Sequence, residues 1–323
     1  MAVVVGDGRP MLFALAGALV FAGGFAIFLA ATGQLLPHDT AYLGMDADEL
    51  CEIASCRIVD FMVHDRAAFG GTLVGVGVLY TWLVAFPLSR GESWAWWTMV
   101  VSGILGFLTF LAYLGYGYLD TWHGIGTVLM LAVFVLGMAR SRSVVDPAGP
   151  ARLAEPGEWF RERSVRSLGR LVLLVGAVAT VGGGLAILRV GIGDTFVPED
   201  LEFIGMDAAA LNRLNPRLVP LLAHDRAGFG GGVLTMGLTT ALCLWRAGFE
   251  RSLRQTVGLA GGISLGAALI VHGAVAYTDL WHLAPALVAA ACLIVGLGLE
   301  LVGCSTARSR HSTGDLQASD RPG

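Results

Sequence analysis

The sequence predicts an all-α integral membrane protein, with eight transmembrane helices arranged as two parallel four-helix repeats. Three observations carry that prediction. The 323 residues are 55% hydrophobic and only 14% charged, with a mean hydropathy of +0.69, a balance that points to a bilayer rather than to two soluble domains. Apolar runs of about twenty residues, the length that crosses the hydrocarbon at about 1.5 Å per residue, recur along the chain. One polar stretch also occurs twice: His64-Asp65-Arg66-Ala67-Ala68-Phe69-Gly70-Gly71 returns 160 positions later as His224-Asp225-Arg226-Ala227-Gly228-Phe229-Gly230-Gly231. Each copy stands just before a long apolar run, where a membrane helix begins.

The spans follow in order. Met11–Thr32 is uncharged and rich in Ala, Gly, Leu and Phe. Its place near the start resembles a signal peptide. Its glycine-rich stretch Gly17–Gly24 has a counterpart in mid-chain at Gly176–Gly183, so the helix is expected to be retained. A polar loop with Pro37-His38-Asp39 and Gly44-Met45-Asp46 follows, and the second copy holds Pro198-Glu199-Asp200 and Gly205-Met206-Asp207. Asp46 and Asp207 are expected to cap short helices, since a carboxylate accepts the free N–H groups of a first turn. The next spans are expected at about Ala67–Pro87, Trp94–Gly117 and from His123 to Met138. Four more follow at about Leu171–Leu188, Ala227–Leu244, Val257–Ala276 and Leu283–Val302.

These spans divide the chain into a first repeat (1–140), an arginine-rich linker (141–170), a second repeat (171–304) and a polar tail (305–323) expected to be disordered. Four spans per copy is an even number, so both copies enter the bilayer in the same sense. Orientation follows from the basic residues, all of which are Arg. Arg140, Arg142, Arg152, Arg161, Arg163, Arg166 and Arg170 share one face with Arg90, Arg246, Arg251 and Arg254. Under the positive-inside rule that face is cytoplasmic. The expected location is therefore the plasma membrane, with both termini inside. The opposite face carries both long loops and is acidic, which disfavours nucleic acid as a partner.

The chemistry-bearing residues gather on that outer rim. Copy one offers His64, Asp65, Arg66, Tyr118, Asp120, Trp122 and His123, and copy two offers His224, Asp225, Arg226, Tyr277, Asp279, Trp281 and His282. In each Asp-x-Trp-His turn the acid and the imidazole are three apart and share a helix face. His64, Asp65, Asp120 and His123, with His224, Asp225, Asp279 and His282, have the residue types that ligate Zn²⁺ or Fe²⁺. The structural alternative has Asp120 and Asp279 capping the fourth and eighth helices and Arg66 and Arg226 pairing with those acids. The histidines then bond loop carbonyls, because intramembrane polar groups mostly pair with one another.

Two further features are weaker. Haem ligation by His64 with His123 has no supporting attachment motif. His272 lies alone in the seventh span, opposite Tyr113 in the other copy, and reads as a satisfied core residue. No Lys is present, so lysine-based chemistry is excluded, and no hydrolase or zincin signature appears. Cys51 and Cys56 share one loop and form a local disulfide if that loop faces an oxidising space. Asn212 and Pro216 stand near those positions in the other copy.

The leading functional reading is a polytopic membrane protein whose duplicated rim is chiefly structural or partner-binding, surrounded by lipid and in contact with a membrane-protein partner or a second copy. The alternative is a membrane enzyme using a divalent metal or a quinone at the outer leaflet. A small-solute transporter is a third reading, disfavoured because His272 is the only strongly polar group in mid-span.

Overall fold

Helix boundaries follow local chemistry. Helix α1 (Arg9–Thr32) carries Pro10 in its first turn, where a missing N–H is no loss, and stops at Gly33, whose left-handed φ of 65° turns its N–H back to the Ala30 carbonyl. Helices α2 (Pro37–Leu43) and α3 (Ala47–Glu52) follow. The Asp46 carboxylate accepts from the Glu49 N–H at 2.9 Å while Glu49 accepts from the Asp46 N–H at 2.9 Å, a reciprocal cap. Next come α4 (Arg57–Ala85), α5 (Ser93–Leu111) and α6 (Thr121–Ser141). The second half comprises α7 (Val165–Ile192), α8 (Pro198–Ile204), α9 (Ala208–Leu214), α10 (Leu218–Arg246), α11 (Arg251–Ala274) and α12 (Leu280–Ser319). Asp207 caps α9, accepting from the Ala210 N–H at 2.6 Å. The computed structural model describes residues 6–111, 118 and 121–319, with side chains described for all of these except Leu111 and residues 305–319. Among these residues there is no strand, and eight helices are long and apolar enough to cross a membrane.

The packing places α4 and α10 side by side at the centre, where they are the most buried of the long helices. Helix α1 lies on α4, and α7 lies on α10. At the first of these crossings a Cβ on Gly23 would sit 2.5 Å from the Gly70 carbonyl oxygen, and one on Gly70 would sit 2.6 Å from that of Gly23. Small residues let the two backbones touch. The third long helix of each half crosses over: α5 packs on α10, and α11 packs on α4. Each central helix is therefore flanked by a helix from the other half of the chain.

At one end the short helices close over the bundle. Leu50, Ile58, Phe61, Leu211, Leu218 and Leu221 bury a common apolar cluster there. The two loops also interlock: Arg57 donates to the Phe203 carbonyl at 3.0 Å, and Arg217 donates to the Tyr42 carbonyl at 2.7 Å. Asn215 adds a bond to the Leu43 carbonyl at 2.9 Å. Cys51 and Cys56 are joined in a disulfide that closes a turn in which Ala54, Ser55 and Cys56 all have left-handed backbone.

Two expectations are corrected. The His-Asp-Arg motifs do not precede their helices but lie inside them, because α4 begins at Arg57 and α10 at Leu218. Their charges find partners across the bundle, so nothing forces the helices to start later. Arg170 is not a solvent-facing linker cation. It is fully buried in α7, with Nε 2.6 Å from Glu300 Oε1 and Nη1 3.0 Å from the Ala247 carbonyl. Helix α12 is continuous from Leu280 to Ser319. No proline interrupts the sequence between Pro285 and Pro322, so nothing in that run forces the helix to end.

Candidate functional site

The site grows from the helical phase of the duplicated motif. Three consecutive residues of a helix point about 100° apart, so on α4 and α10, which face each other, the acid and the base of each motif reach the other helix. Arg226 donates through Nε to Asp65 Oδ2 at 3.1 Å and through Nη2 to Asp65 Oδ1 at 3.2 Å, and it also pairs closely with Asp200. Arg66 does the same in reverse, with Nε 2.9 Å from Asp225 Oδ2 and Nη2 2.7 Å from Asp39 Oδ2. Each guanidinium thus sits between two carboxylates, one from the neighbouring central helix and one from its own half's short helix. Buried charges are tolerated only when paired and hydrogen-bonded in this way.

The loop acids are held from behind. Asp200 accepts from the Val197 N–H at 2.8 Å and Asp39 from the Leu36 N–H at 3.2 Å. Each also receives a phenol, Tyr277 on Asp200 at 2.8 Å and Tyr118 on Asp39 at 2.5 Å. Burial, and next the Asp200 charge, push the Tyr277 phenol well above its ordinary value. Tyr277 therefore keeps its proton and donates it to Asp200.

Beside this frame lie three imidazoles, His64 from α4, His272 from α11 and His282 from α12. One ring nitrogen of each lies within 4.8 Å of those of the others. Their Nδ1 nitrogens each face an acceptor. His64 Nδ1 is 2.9 Å from Asp65 Oδ1, which only accepts, so Nδ1 carries the proton. His272 Nδ1 is 2.5 Å from the Ala268 carbonyl, which also only accepts. His282 Nδ1 is 3.1 Å from the Tyr277 hydroxyl, whose own proton goes to Asp200. By these partners all three Nε2 atoms carry lone pairs. His64 Nε2 and His272 Nε2 face each other at 3.0 Å, a contact in which two lone pairs repel unless one nitrogen carries a proton or a metal ion engages both. Two nitrogens on one tetrahedral metal at 2.0–2.1 Å lie about 3.4 Å apart, and opposed ones about 4 Å. The observed 3.0 Å is a hydrogen-bond distance; a small tetrahedral centre would part the two nitrogens by about 0.4 Å more, and the opposed ligation of a haem by about 1 Å more.

The opposite side of the frame is built from the same residue types. His224 Nδ1 lies 3.1 Å from Asp225 Oδ1. The His224 ring is 4.9 Å from Tyr118 and 6.1 Å from His123, and His123 lies 5.6 Å from His38. This end opens into a cavity of about 660 Å³ running between α1, α4, α5, α6 and α10.

The expected site residues are thus only partly brought together as the sequence grouped them. His64 meets His272 and His282 from the other half, not His123. His224 meets His123 from the other half, not His282. Asp65 and Asp225 pair with arginines and orient imidazoles, and neither belongs to the nitrogen cluster. Asp279 is exposed and caps α12, accepting from the His282 N–H at 2.8 Å. Asp120 and Tyr113 lie outside the described residues. Arg66 pairs with Asp225 and Asp39, and Arg226 with Asp65 and Asp200; among the described residues, Asp279 is not one of their partners. Sequence reasoning missed His272, Asp39 and Asp200. The two acids had a signal, because Pro-x-Asp recurs at the same place in both loops. His272 had none, since its repeat position is Tyr113.

No protein-family model matches the chain, and neither a curated protein nor a solved structure matches it.

Proposed function

We propose that this chain is a plasma-membrane protein of two parallel four-helix repeats that holds a divalent transition metal, Zn²⁺ or Fe²⁺, at His64, His272 and His282, and that it is a metal-dependent enzyme working at the extracytoplasmic end. Residues 1–140 and 171–304 form the repeats, 141–170 the cytoplasmic linker, and both termini lie in the cytoplasm. The observation that carries the metal reading is the approach of three ring nitrogens, one each from His64, His272 and His282, to within 4.8 Å of one another, on imidazoles whose Nδ1 atoms each face an acceptor. Ligating histidines typically donate their other N–H to a carboxylate or a carbonyl, which fixes tautomer and ring angle. Asp65, the Ala268 carbonyl and Tyr277 do that here.

Three protein ligands leave one tetrahedral position open, the arrangement of catalytic rather than structural centres. A metal held there supplies Lewis acidity or a redox couple. The Arg226–Asp65–Asp200 frame keeps the imidazoles from turning. The mirrored Arg66–Asp39–Asp225 frame favours a structural role for its own side, clamping α4 to α10.

The test is metal analysis of the purified full-length protein after incubation with Zn²⁺ or Fe²⁺ and desalting. The proposal expects about one ion per chain, lost in His272→Ala and His64→Ala and kept in Asp279→Asn. A wild-type protein that retains no ion, or a His64/His272/His282 triple alanine variant that retains it, overturns the proposal.

A further inference from the structure

The cavity at the His224 end has a shape and a polarity that belong to one kind of ligand. Its wall on α1 is a single helical stripe, Leu15, Leu19, Ala22, Ala26 and Leu29, spaced three and four apart as one face requires. Fourteen residues separate the ends of the stripe, a length of about 21 Å at 1.5 Å per residue. Phe107 and Met130 line the facing wall. At the deep end the Tyr80 hydroxyl and Ser102 Oγ bond each other at 2.9 Å, so these two leave that end without an open hydrogen-bonding demand. The edge of the slot carries Phe21 and Trp122, 75% and 71% exposed, on the lateral surface that the membrane reading turns toward lipid. A long apolar slot that opens sideways accepts a chain entering from the bilayer.

The charged side chains of the lining all lie at the other end. Arg66, Asp39 and Asp225 line it together with His123 and His224. One guanidinium stands there against two carboxylates, both of which it already engages. An anionic phosphate head would meet the surplus carboxylate charge. A small neutral head with carbonyl or hydroxyl groups meets none, and imidazole rings are suitable hydrogen-bonding partners for it.

We propose that this slot binds a lipid-chain molecule with a neutral, hydrogen-bonding head, of the quinone and quinol class. The chain lies along the α1 stripe and the head lies against His123 and His224. This site is separate from the His64, His272 and His282 cluster, and its test does not depend on metal.

The experiment uses the full-length protein in phosphatidylcholine nanodiscs, titrated with decylubiquinone while tryptophan fluorescence is recorded. The proposal expects saturable quenching. Trp122→Phe, at the mouth, should reduce the quenching amplitude while leaving the half-saturation point where it was. Ala26→Phe fills the middle of the stripe. Displacing as few as two methylenes from apolar contact weakens binding about tenfold or more, so its half-saturation should rise by at least that factor while helicity and metal content stay at wild-type values. Should Ala26→Phe not reach wild-type helicity, Ala22→Leu replaces it, with a smaller rise expected. Quenching that grows without saturating, as for a solute dissolved in the bilayer, overturns the proposal. So does a half-saturation point unmoved by the filling variant. Displacement of decylubiquinone by phosphatidylglycerol also overturns it and reassigns the slot to a phospholipid chain.

Discussion

Tyr277→Phe removes one oxygen and tests the metal centre through its support. In the wild type that oxygen donates to Asp200 at 2.8 Å and accepts from His282 Nδ1 at 3.1 Å. Asp200 keeps Arg226 and the Val197 N–H after the change, and His282, part-exposed, finds water. The stability cost is therefore about 1–2 kcal/mol, the range for losing a hydrogen bond whose partners are partly compensated. The effect on metal is larger in relative terms, because His282 loses the acceptor that fixes its tautomer. Loss of such an outer partner weakens metal affinity about 10–100-fold, equal to about 1.4–2.7 kcal/mol. Competition of the purified protein with a chromogenic chelator for Zn²⁺ reads this directly, and thermal unfolding reads stability in parallel. Tyr118→Phe is the internal control. Tyr118 donates to Asp39 at 2.5 Å as Tyr277 does to Asp200, but it stands on the other side of the frame. It should cost similar stability and leave Zn²⁺ affinity unchanged. Wild-type affinity in Tyr277→Phe refutes the reasoning, as does an equal loss in Tyr118→Phe.

Tyr277 also sets an alkaline limit. Its folded-state pKa is raised above the ordinary value of about 10, so its contribution is fully present below pH 10 and is lost as pH rises above it; urea unfolding midpoints should fall above pH 10 in the wild type and less in Tyr277→Phe. Arg226→Met leaves Asp65 and Asp200 buried without their cation and should cost about 3–5 kcal/mol in thermal or denaturant unfolding, whereas a loss under about 1 kcal/mol would show that the pair behaves as an exposed one. Asp279→Ala should lose about 1 kcal/mol while Asp279→Asn stays near wild type, because Asn caps as well as Asp; unchanged stability in both removes the cap. With Cys51 and Cys56 replaced, a cysteine at position 154 (Ala154→Cys) should resist an impermeant thiol reagent in intact cells, and ready labelling reverses the proposed orientation.

Much of the element pattern was legible in the residues. Apolar runs near the membrane length marked the eight long helices, and Asp46, Asp207 and Asp279 marked caps because a carboxylate ahead of a first turn has few other uses. The disulfide between Cys51 and Cys56 was legible as a local pairing within one loop. Helix starts were not legible where charge occurs. Arg57 to Arg66 and Leu218 to Arg226 carry acids and bases that look like loop until their partners are known, and Arg170 looks like a solvated cation until Glu300 is brought to it from 130 residues away.

The sequence by itself determined which residue types meet at the site, through a motif that occurs twice and through the acids and tyrosines that accompany it. It did not determine which copies meet. A motif that recurs offers His64 two similar partners, His123 and His282, and spacing treats them alike. Only the tertiary structure chose, by laying α11 across α4 and α5 across α10, so that each cluster draws on both halves of the chain. The physical reason is that apolar helices carry little positional information about their neighbours. Their faces are alike in hydropathy, and the choice rests on close fits such as Gly23 against Gly70 and on complementary charges such as Arg226 with Asp65 and Arg66 with Asp225, which exist only once the helices are side by side.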